Sequence, residues 1–408
     1  MLTTLIYRSQ VNSDWAPADL QMLVDTASRN NTRLHLTGIL LFNGGEFFQV
    51  LEGEEAVIEA LFTSIRADTR HCGVVELMRD YSAYRRFHDM GMNLIDLRRR
   101  KKKDELEKIR YLSLFRGDNS YDDRMFRLIR TFIEHGGRYI PKPEFSYSLW
   151  TNNSHPLFSD KQWPKSFANH PCQFALQPII HALSGKISSY EALIRSASGG
   201  SPEEMFKSIP PEKLYAFDLE SKAYAFALGG QMLKKNDKIA VNLLPRALCA
   251  IPDAVDTLLK QVREAGLKPE QVIIEVTEAE FISAFDVFYQ TLKEIRTAGL
   301  GLAIDDFGAG YSGLTLLTRF QPDKIKLDMA LVRDIHLSGV KQAVVASIVR
   351  CCEDLGITII AEGVEKMEEW CWLQSNDIHL FQGFLFSRPC LNDAGNINWP
   401  VRIVPPTL

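Results

Sequence analysis

Asp305 and Asp306 stand where an apolar strand runs into a glycine loop, in the segment GLGLAIDDFGAG of residues 299–310. Two adjacent carboxylates repel each other and are costly to bury unless cations hold them. Two divalent metal ions in an oxygen-rich site would remove that cost, and paired metals are a common means of hydrolysing phosphodiesters. A helix N-cap or an Asx turn would explain one aspartate well and two poorly. The pair alone favours a metal site only weakly.

Polar side chains also recur at or just after the apolar part of other predicted strands: Glu191, Asn242, Glu275, Lys326, Glu362 and Gln382. In a parallel barrel the carboxyl ends of the strands converge on one face, where catalytic residues are found. Five carboxylates and an amide meeting there are predicted ligands of Mg²⁺ or Mn²⁺, and without a His/Cys cluster zinc is less favoured. Each residue alone could be a rim carboxylate, a turn former or a solvent-facing strand residue. We reject coincidence at equivalent positions of so many strands.

The elements that must position these residues begin near residue 170. Eight strand candidates follow, most of them separated by amphipathic helices, at residues 173–180, 186–194, 238–244, 271–277, 300–305, 324–328, 357–363 and 379–386. This alternation predicts a TIM-type (β/α)8 barrel. The first connection, HALSGK, is too short for a crossover helix, so we expect the first two strands to pair antiparallel.

Several strings in this region resemble one family: Gln177-Pro178, EALIR at 191–195, VNLLP at 241–245, EVTE at 275–278, DDFGAGYSGL at 305–314, KIKLD at 324–328, AEGVE at 361–365 and QGFLFSRP at 382–389. Residues 170–400 thus resemble an EAL-type cyclic di-GMP phosphodiesterase domain. The resemblance implies hydrolysis of one 3′–5′ phosphodiester to give linear pGpG.

The resemblance also implies residue roles. The metal ligands are Glu191, Asn242, Glu275, Asp305, Asp306 and Glu362, with Asp305 bridging two ions. The catalytic set is Lys326, Glu362, Asp305, Asp306, Gln382 and Glu365, in which Lys326 holds or deprotonates the attacking water and Gln382 and Glu365 support the ligands. The substrate set is Gln177, Leu193, Arg195 and Glu278, and Glu278 also resembles the acid that anchors the DDFGAG loop.

Residues 1–97 alternate by element in the order βαββαβ, with Asn43-Gly44-Gly45 as a hairpin signal. This order predicts an α+β, ferredoxin-like domain: one antiparallel sheet with two helices on a face. The strings LIYRS at 5–9, ILLFNGGEFFQVLEG at 39–53, DTRH at 68–71 and Met90-Gly91-Met92 resemble the BLUF blue-light sensors, which bind FAD. From the residues alone, a buried tyrosine bonded to a glutamine is also an ordinary core pair.

The BLUF resemblance implies a flavin site made by Tyr7, Ser9, Asn31, Gln49, Asp68, Arg70, His71 and Met92. Tyr7 would give an electron and a proton to excited flavin, and the Gln49 amide would rearrange its hydrogen bonds. Asn31 would bind the flavin ring, and Asp68, Arg70 and His71 would line the rest of the site. The aromatic residue common near the last strand is absent, because Met90 stands there.

Residues 98–140 are predicted to be a helical connector that opens with a basic run at 98–103, in which Asp104 can pair with Lys108 and Gly136-Gly137 close the last helix. Residues 141–169, rich in Pro, Ser and Asn, are predicted to be a linker before the EAL domain at 170–408.

Composition limits the alternatives. The chain has 408 residues, 46% of them hydrophobic, with a net charge of −4 and seven scattered cysteines. These values predict a cytoplasmic globular protein of two or three domains that does not bind nucleic acid broadly. The N-terminus begins directly as a strand without a signal peptide, and no apolar run is long enough to span a membrane.

The sequence therefore predicts an enzyme: a light-regulated cyclic di-GMP phosphodiesterase using FAD and two Mg²⁺ or Mn²⁺ ions. Ca²⁺ is expected to inhibit because its looser coordination places water poorly, and the family favours a homodimer. One alternative is a catalytically silent cyclic di-GMP receptor or light-dependent protein-interaction module. Another is a constitutive hydrolase that ignores light.

Overall fold

The computed structural model describes residues 2–11, 17–82, 85–87, 91–99, 105–106, 108–109, 124–135, 143–156, 171–207, 209–234, 237–310, 313–391 and 395–403. The chain forms two compact units. The N-terminal unit contains residues 1–140 and also 334–344, and the C-terminal unit contains 141–333 and 345–408. In the described part of the chain, no helix combines the length and apolar character needed to cross a bilayer.

The N-terminal unit is built on a five-stranded sheet. Its strands are β1 (Leu2–Val11), β2 (Thr37–Phe42), β3 (Glu46–Glu54), β4 (His71–Ser82) and β5 (Asn93–Asp96), in the order β4-β1-β3-β2-β5. The first four strands pair antiparallel, which confirms the ferredoxin-like prediction. The prediction of one antiparallel sheet was incomplete, because β5 adds to β2 in parallel. Four residues are too few for alternation to reveal a strand.

Both faces of this sheet are covered by helices. Because alternate residues of a strand point to opposite faces, neighbouring residues of β1 are buried on different sides. Helices α1 (Pro17–Arg33) and α2 (Glu55–Arg66) pack against one face, where Leu5 and Tyr7 are buried. Helix α3 (Arg124–His135) packs against the other face, where Ile6 is buried. The sheet thus separates two apolar layers.

Helix α3 lies within the predicted connector at 98–140. Its Phe132 ring stacks on Phe48 of β3 with 5.0 Å between ring centroids. The predicted Asp104–Lys108 pair cannot be compared, because Asp104 lies outside the described residues, as do Gly136, Gly137 and Met90.

The C-terminal unit is an eight-stranded barrel. Its strands are β7 (Cys172–His181), β8 (Lys186–Ser196), β9 (Ile239–Asn242), β10 (Val272–Thr277), β11 (Gly301–Phe307), β12 (Lys324–Leu327), β13 (Thr358–Ala361) and β14 (Leu380–Phe381). Each strand pairs with the next, and β14 closes the ring on β7. As predicted, β7 and β8 are antiparallel. Only Leu380–Phe381 of the predicted strand 379–386 pairs in the barrel, and the positive φ of Gly383 (157°) marks the departure of the chain.

Helices connect most of the barrel strands. They are α4 (Pro202–Lys207), α5 (Leu214–Met232), α6 (Pro245–Ala250), α7 (Ala254–Glu264), α8 (Glu278–Thr297), α9 (Gly313–Arg319), α10 (Met329–Val332), α11 (Gly339–Leu355) and α12 (Met367–Ser375). A short strand, β15 (Cys390–Leu391), pairs antiparallel with Ala175 and Leu176 of β7.

The predicted linker at 141–169 was wrong in its first half. Strand β6 (Trp150–Pro156) pairs antiparallel with β16 (Asn396–Arg402) near the C-terminus. Phe145 and Trp150 also stack together, and Trp150 meets Trp370 of α12 edge-on at 4.9 Å. Aromatic burial therefore orders a segment whose polar composition resembles a linker.

Candidate active site and flavin cavity

Lys326 lies fully buried at the mouth of the barrel. Its Nζ atom is within salt-bridge distance of carboxylates from four different parts of the chain. The distances are 3.1 Å to Glu191 Oε2, 3.0 Å to Glu275 Oε2, 3.3 Å to Asp305 Oδ1 and 2.5 Å to Glu362 Oε1. The structure therefore brings together five residues that the sequence analysis expected to meet.

The register of the parallel strands explains this convergence. Glu275 of β10 is the pairing partner of Asn242 of β9, and Asp305 of β11 is the partner of Thr277 at the end of β10. Glu362 directly follows the last residue of β13. Because these positions lie at the carboxyl ends of their strands, their side chains reach the same layer of the barrel.

The carboxylates form two groups that share Asp305. Glu191, Glu275 and Asp305 each offer an oxygen within 4.8 Å of the others, and Asp305, Asp306 and Glu362 do the same. When ionised, five carboxylates against one lysine leave a net charge of −4. Hard divalent cations prefer such oxygen ligands. The donor set therefore fits hard divalent cations, and Asp305 belongs to both groups.

The pKa shifts follow from this crowding. Burial raises the pKa of Glu275 and of Glu362 well above the usual value, although Lys326 opposes the shift. Burial and the charge of Asp305 raise the pKa of Asp306. Burial tends to lower the pKa of Lys326, but the four surrounding carboxylates outweigh it and raise this pKa well above its usual value. Lys326 is therefore an ammonium at neutral pH, and the acids need more positive charge to ionise together.

Glu191 is held by amides as well as by Lys326. Burial tends to raise its pKa, but Lys326 and hydrogen bonds from Gln382 and Asn242 bring the pKa below the usual value. Asn242 Nδ2 donates to Oε1 at 2.7 Å, and Gln382 Nε2 donates to Oε2 at 2.6 Å. Gln382 Nε2 also lies 2.9 Å from Gln177 Oε1. Gln177, predicted to bind substrate, thus belongs to the chain of amides that orients Glu191.

The loop after β11 is anchored by Glu278. This buried carboxylate accepts a hydrogen bond from the Gly308 backbone N–H at 2.8 Å. A Cβ atom on Gly310 would lie 2.6 Å from Glu278 Oε1, so any larger residue there would displace the Glu278 carboxylate. Asp306 adopts a left-handed conformation with φ 53°, and its backbone N–H donates to Asp305 Oδ1. The contacts of Glu278 are therefore those of a loop anchor.

Two other predicted residues lie apart from the carboxylate groups. Among the described residues, exposed Glu365 contacts Arg333 at 3.2 Å and not the carboxylates around Lys326. Arg195 is half-buried and donates to its neighbouring Ile194 carbonyl at 2.8 Å. Burial lowers the pKa of Arg195, while the charge of Glu191 opposes this change.

A cavity of about 280 Å³ lies beside Asn242 and Glu275 and is lined in part by Leu193. Its lining includes three charged residues that the sequence analysis did not identify: Asp218, Lys222 and Glu280. Two sequence signals could have found them. Asp218 and Lys222 are four residues apart in the largely apolar helix α5, and Glu280 stands three residues after the N-cap Thr277, whose hydroxyl oxygen accepts a hydrogen bond from the Glu280 backbone N–H.

Asp218 and Lys222 connect helix α5 to the strand end that carries Asn242. Lys222 Nζ lies 2.5 Å from Asp218 Oδ1, and both side chains are almost completely buried. Asp218 Oδ2 accepts a hydrogen bond from the Leu244 backbone N–H at 2.9 Å. The pair therefore fixes the turn that follows Asn242.

The N-terminal unit contains a second cavity, of about 260 Å³, between the sheet and helices α1 and α2. Seven of the eight predicted flavin residues line it: Tyr7, Asn31, Gln49, Asp68, Arg70, His71 and Met92. The remaining wall is largely apolar, with Leu23, Ala27, Leu40 and Ile65. An apolar slot with polar groups fits a flat heteroaromatic ring such as flavin. Ser9 is buried but is not among the lining residues.

A chain of polar side chains runs through this cavity. The Tyr7 hydroxyl donates to Gln49 Oε1, and Gln49 Nε2 donates to Met92 Sδ at 3.5 Å. Burial, with the charge of Asp68, raises the pKa of Tyr7 above its usual value, so Tyr7 is a neutral phenol. Asn31 Nδ2 donates to the Gly91 carbonyl at 2.9 Å. The Gln49 amide is therefore hydrogen-bonded to both Tyr7 and Met92, and these are the two bonds that it could exchange.

At the polar end of the cavity, Arg70 forms a paired hydrogen bond with Asp68. This contact lowers the pKa of Asp68 to about 2. Burial lowers the pKa of His71, and within the described residues its buried Nδ1 atom has no hydrogen-bond partner. An unpartnered buried nitrogen beside the cavity is a further indication of a ligand.

Two family models match the chain, one in each part. A family model described as "EAL domain" matches residues 160–389, and a model described as "Sensors of blue-light using FAD" matches residues 2–93. The blue light- and temperature-regulated antirepressor BluF of Escherichia coli is 39% identical, over 98% of this chain and 100% of its own. The cyclic di-GMP phosphodiesterase PdeR of the same organism is 35% identical, over 57% of this chain and 36% of its own.

Solved structures extend the similarity to the whole chain. Klebsiella pneumoniae BlrP1, as a calcium and cyclic di-GMP complex at pH 8.0, has 59% identity and a TM-score of 0.93, covering 99% of this chain and 100% of its own. A manganese and cyclic di-GMP complex at pH 6 gives the same values. A further BlrP1 structure holds FMN and cyclic diGMP without metal ions, with 55% identity and a TM-score of 0.88, covering 99% of this chain and 100% of its own.

The chain therefore belongs to the EAL family of cyclic di-GMP phosphodiesterases and carries a BLUF domain at its N-terminal end. The carboxylate groups lie in the EAL part, and the apolar cavity lies in the BLUF part.

Proposed function

We propose that this chain hydrolyses one 3′–5′ phosphodiester bond of cyclic di-GMP to linear pGpG with two divalent cations, and that a flavin in the BLUF cavity puts the rate under blue-light control. The observation that carries the proposal is Asp305, shared by two carboxylate groups around Lys326. BlrP1 structures that hold cyclic di-GMP with calcium or manganese support the substrate and the metals.

In this proposal Glu191, Asn242, Glu275 and Asp305 hold one cation, and Asp305, Asp306 and Glu362 hold the second. When bound, the cations supply Lewis acidity, which activates water for attack on phosphorus and screens the charge of the phosphate. Magnesium or manganese suits the all-oxygen ligand set.

Other side chains orient and screen. Lys326, whose Nζ lies among the proposed cation ligands, would hold or deprotonate the attacking water and screen developing negative charge. Gln382 and Gln177 keep Glu191 in its ligand orientation. Arg195 offers a planar donor group to a substrate phosphate. A supporting role for Glu365 remains a prediction.

In the BLUF part, FAD would supply light absorption and act as the acceptor of one electron and one proton. Tyr7 would give both of these to the excited flavin, and Gln49 would then rearrange the hydrogen bonds that it makes with Tyr7 and Met92. Asn31 holds the ring, and Asp68, Arg70 and His71 form the rest of the site. Ser9 stays a predicted member of this set.

The direct test is product formation from cyclic di-GMP and Mn²⁺ by the purified flavin-loaded protein, in darkness and under blue light. We expect linear pGpG at two different rates. An allosteric coupling of about 1–3 kcal/mol corresponds to roughly 5–150-fold. Absence of any linear dinucleotide contradicts the hydrolase, whereas equal rates in dark and light contradict only the light control.

A second candidate is a light-dependent interaction protein without catalysis. It is favoured by the full-length similarity to BluF, which is named as an antirepressor. The intact carboxylate groups and Lys326 favour the hydrolase. Chromatography of the same reaction separates the two candidates, because a receptor binds the dinucleotide and leaves it cyclic.

Divalent cations should raise the melting temperature of the protein. Removing the repulsion among five carboxylates stabilises the folded state, and a ligand at 100 times its Kd contributes about 2.7 kcal/mol. We expect Mn²⁺ and Ca²⁺ both to raise Tm in differential scanning fluorimetry, with turnover in Mn²⁺ only. Equal Tm values with Mn²⁺ and with EDTA would contradict the metal site, and turnover in Ca²⁺ would contradict the predicted inhibition.

A homodimer also remains a prediction.

A further inference from the structure

Residues 334–344 follow the barrel strand β12 in the sequence but belong to the N-terminal unit. They comprise a short 3₁₀ turn at Ile335–Leu337 and the first residues of α11. Ser338 forms a parallel β-bridge with Glu76 of β4, which is an edge strand of the sheet. A Cβ atom on Gly339 would lie 2.5 Å from Leu77 Cδ2 and 3.0 Å from the Glu76 carbonyl. The segment therefore lies directly against the edge of the BLUF sheet.

This bridge continues a row of paired residues from the flavin cavity. Gln49 of β3 pairs with Tyr7 of β1, Tyr7 pairs with Glu76 of β4, and Glu76 bridges to Ser338. With strands spaced about 4.8 Å apart, the row spans roughly 14 Å. The β1–β4 register shifts on either side of Tyr7 and Arg8. Backbone pairing thus joins the two residues expected to respond to light with the segment at 334–344.

A side-chain contact reinforces the row. Arg8 adjoins Tyr7 on β1, so its side chain lies on the opposite face of the sheet. Arg8 Nη2 donates to Gln342 Oε1 at 2.8 Å, and Gln342 Nε2 donates to the Ile335 carbonyl at 2.9 Å. Arg8 is 5% exposed and Gln342 is 1% exposed. Burial, opposed by Glu46, lowers the pKa of Arg8 to about 10, which still leaves it charged at neutral pH.

The segment is connected by the chain to the catalytic part in both directions. Asp334 follows Lys326 by eight residues. On the other side, α11 continues without a break to Leu355, and its residues 345–355 belong to the C-terminal unit. The backbone therefore connects residues 334–344 directly to both flanking elements.

We propose that the Arg8–Gln342 hydrogen bond and the Glu76–Ser338 bridge form the connection through which a change at Tyr7 and Gln49 reaches residues 334–344. The proposal rests on the light control proposed above. Arg8 and Gln342 are positioning residues, because neither lines the flavin cavity and neither belongs to the carboxylate groups.

The test uses the flavin-loaded full chain with Arg8→Met, Gln342→Met and the double variant, and with Arg33→Met as a control on the exposed end of α1. Arg8→Lys keeps a cationic donor and serves as the conservative variant. Three quantities are measured: the light-induced red shift of the flavin, hydrogen exchange of amides 334–344 in dark and light, and the ratio of turnover in light to turnover in darkness.

In the wild type and in Arg33→Met we expect illumination to change amide exchange at 334–344. Arg8→Met and Gln342→Met should keep the red shift and the dark turnover but lose the light-dependent exchange change. The double variant should lose no more than either single variant, because both remove the same bond. Arg8→Lys should retain part of the response.

Three results would overturn the connection: no light-dependent exchange at 334–344 in a wild type that shows the red shift, a full response in folded Arg8→Met, or loss of the red shift itself in that variant. If Arg8→Met does not fold, Gln342→Met tests the same bond from its other side. If turnover ignores light while the exchange change is present and depends on Arg8, the connection stands and the light control of hydrolysis fails.

Discussion

Asp305→Asn should abolish turnover of cyclic di-GMP while leaving the flavin spectrum unchanged. Asp305 is the residue shared by both carboxylate groups, so its neutralisation weakens both cation sites at once. A loss of about 4 kcal/mol of transition-state stabilisation is reasonable for a metal-dependent reaction and corresponds to a decrease of about 10³-fold in kcat. The measurement is pGpG formation at saturating Mn²⁺, with the absorption spectrum recorded on the same sample.

Asp256→Asn is the matched control, because Asp256 is an exposed aspartate on helix α7 of the same barrel. It should keep wild-type turnover. Turnover of Asp305→Asn within a fewfold of wild type would refute the bridging role. Mn²⁺ should also raise the melting temperature of Asp305→Asn by less than it raises that of the wild type. This comparison separates loss of the cation sites from a purely chemical defect.

Tyr7→Phe should remove the light-induced red shift and make light and dark turnover equal. The substitution deletes the hydroxyl that donates to Gln49, and with it the hydrogen bond and the transferable proton. The aromatic ring stays packed against Phe62, with 5.4 Å between the ring centroids. We therefore expect the fold and the dark turnover to be retained. The lost hydrogen bond should cost about 1 kcal/mol of stability.

Tyr147→Phe provides the control, because Tyr147 is 53% exposed in the C-terminal unit. The light-induced red shift of the Tyr147→Phe variant should equal that of the wild type. A normal red shift in Tyr7→Phe would show that the photochemical assignment is wrong. Loss of the red shift with light control of turnover intact would show that control does not depend on the flavin.

Most of the barrel site could be predicted from the order of local patterns. Polar residues lie within or just after most of the short apolar strands of the barrel, and a parallel barrel places the carboxyl ends of its strands on one face whatever the helices between them contain. That rule predicts that Glu191, Glu275, Asp305, Lys326 and Glu362 lie together, and the Lys326 salt bridges show that they do. The rule does not extend to exposed Glu365, because this residue lies four positions beyond the end of β13 and is placed by its loop.

Charged residues on helices were harder to find. Asp218 and Lys222 look like a surface pair in the sequence, but α5 is packed so that both are buried beside the cavity. The strand β6 was mistaken for linker because its partner β16 lies more than 230 residues away. The burial of the Asp218–Lys222 pair and the pairing of β6 both depend on what packs against these segments.

Motifs and their order were therefore enough to identify the chemistry, because strand ends and hairpins follow from periodicity over fewer than a dozen residues. The position of residues 334–344 could not be obtained in this way. Arg8 and Gln342 are 334 residues apart, and nothing near either residue indicates the other. Their contact exists because folding places an arginine beside Tyr7 on a strand and a glutamine on a helix next to the same sheet. Long-range packing, not local pattern, decides that pairing.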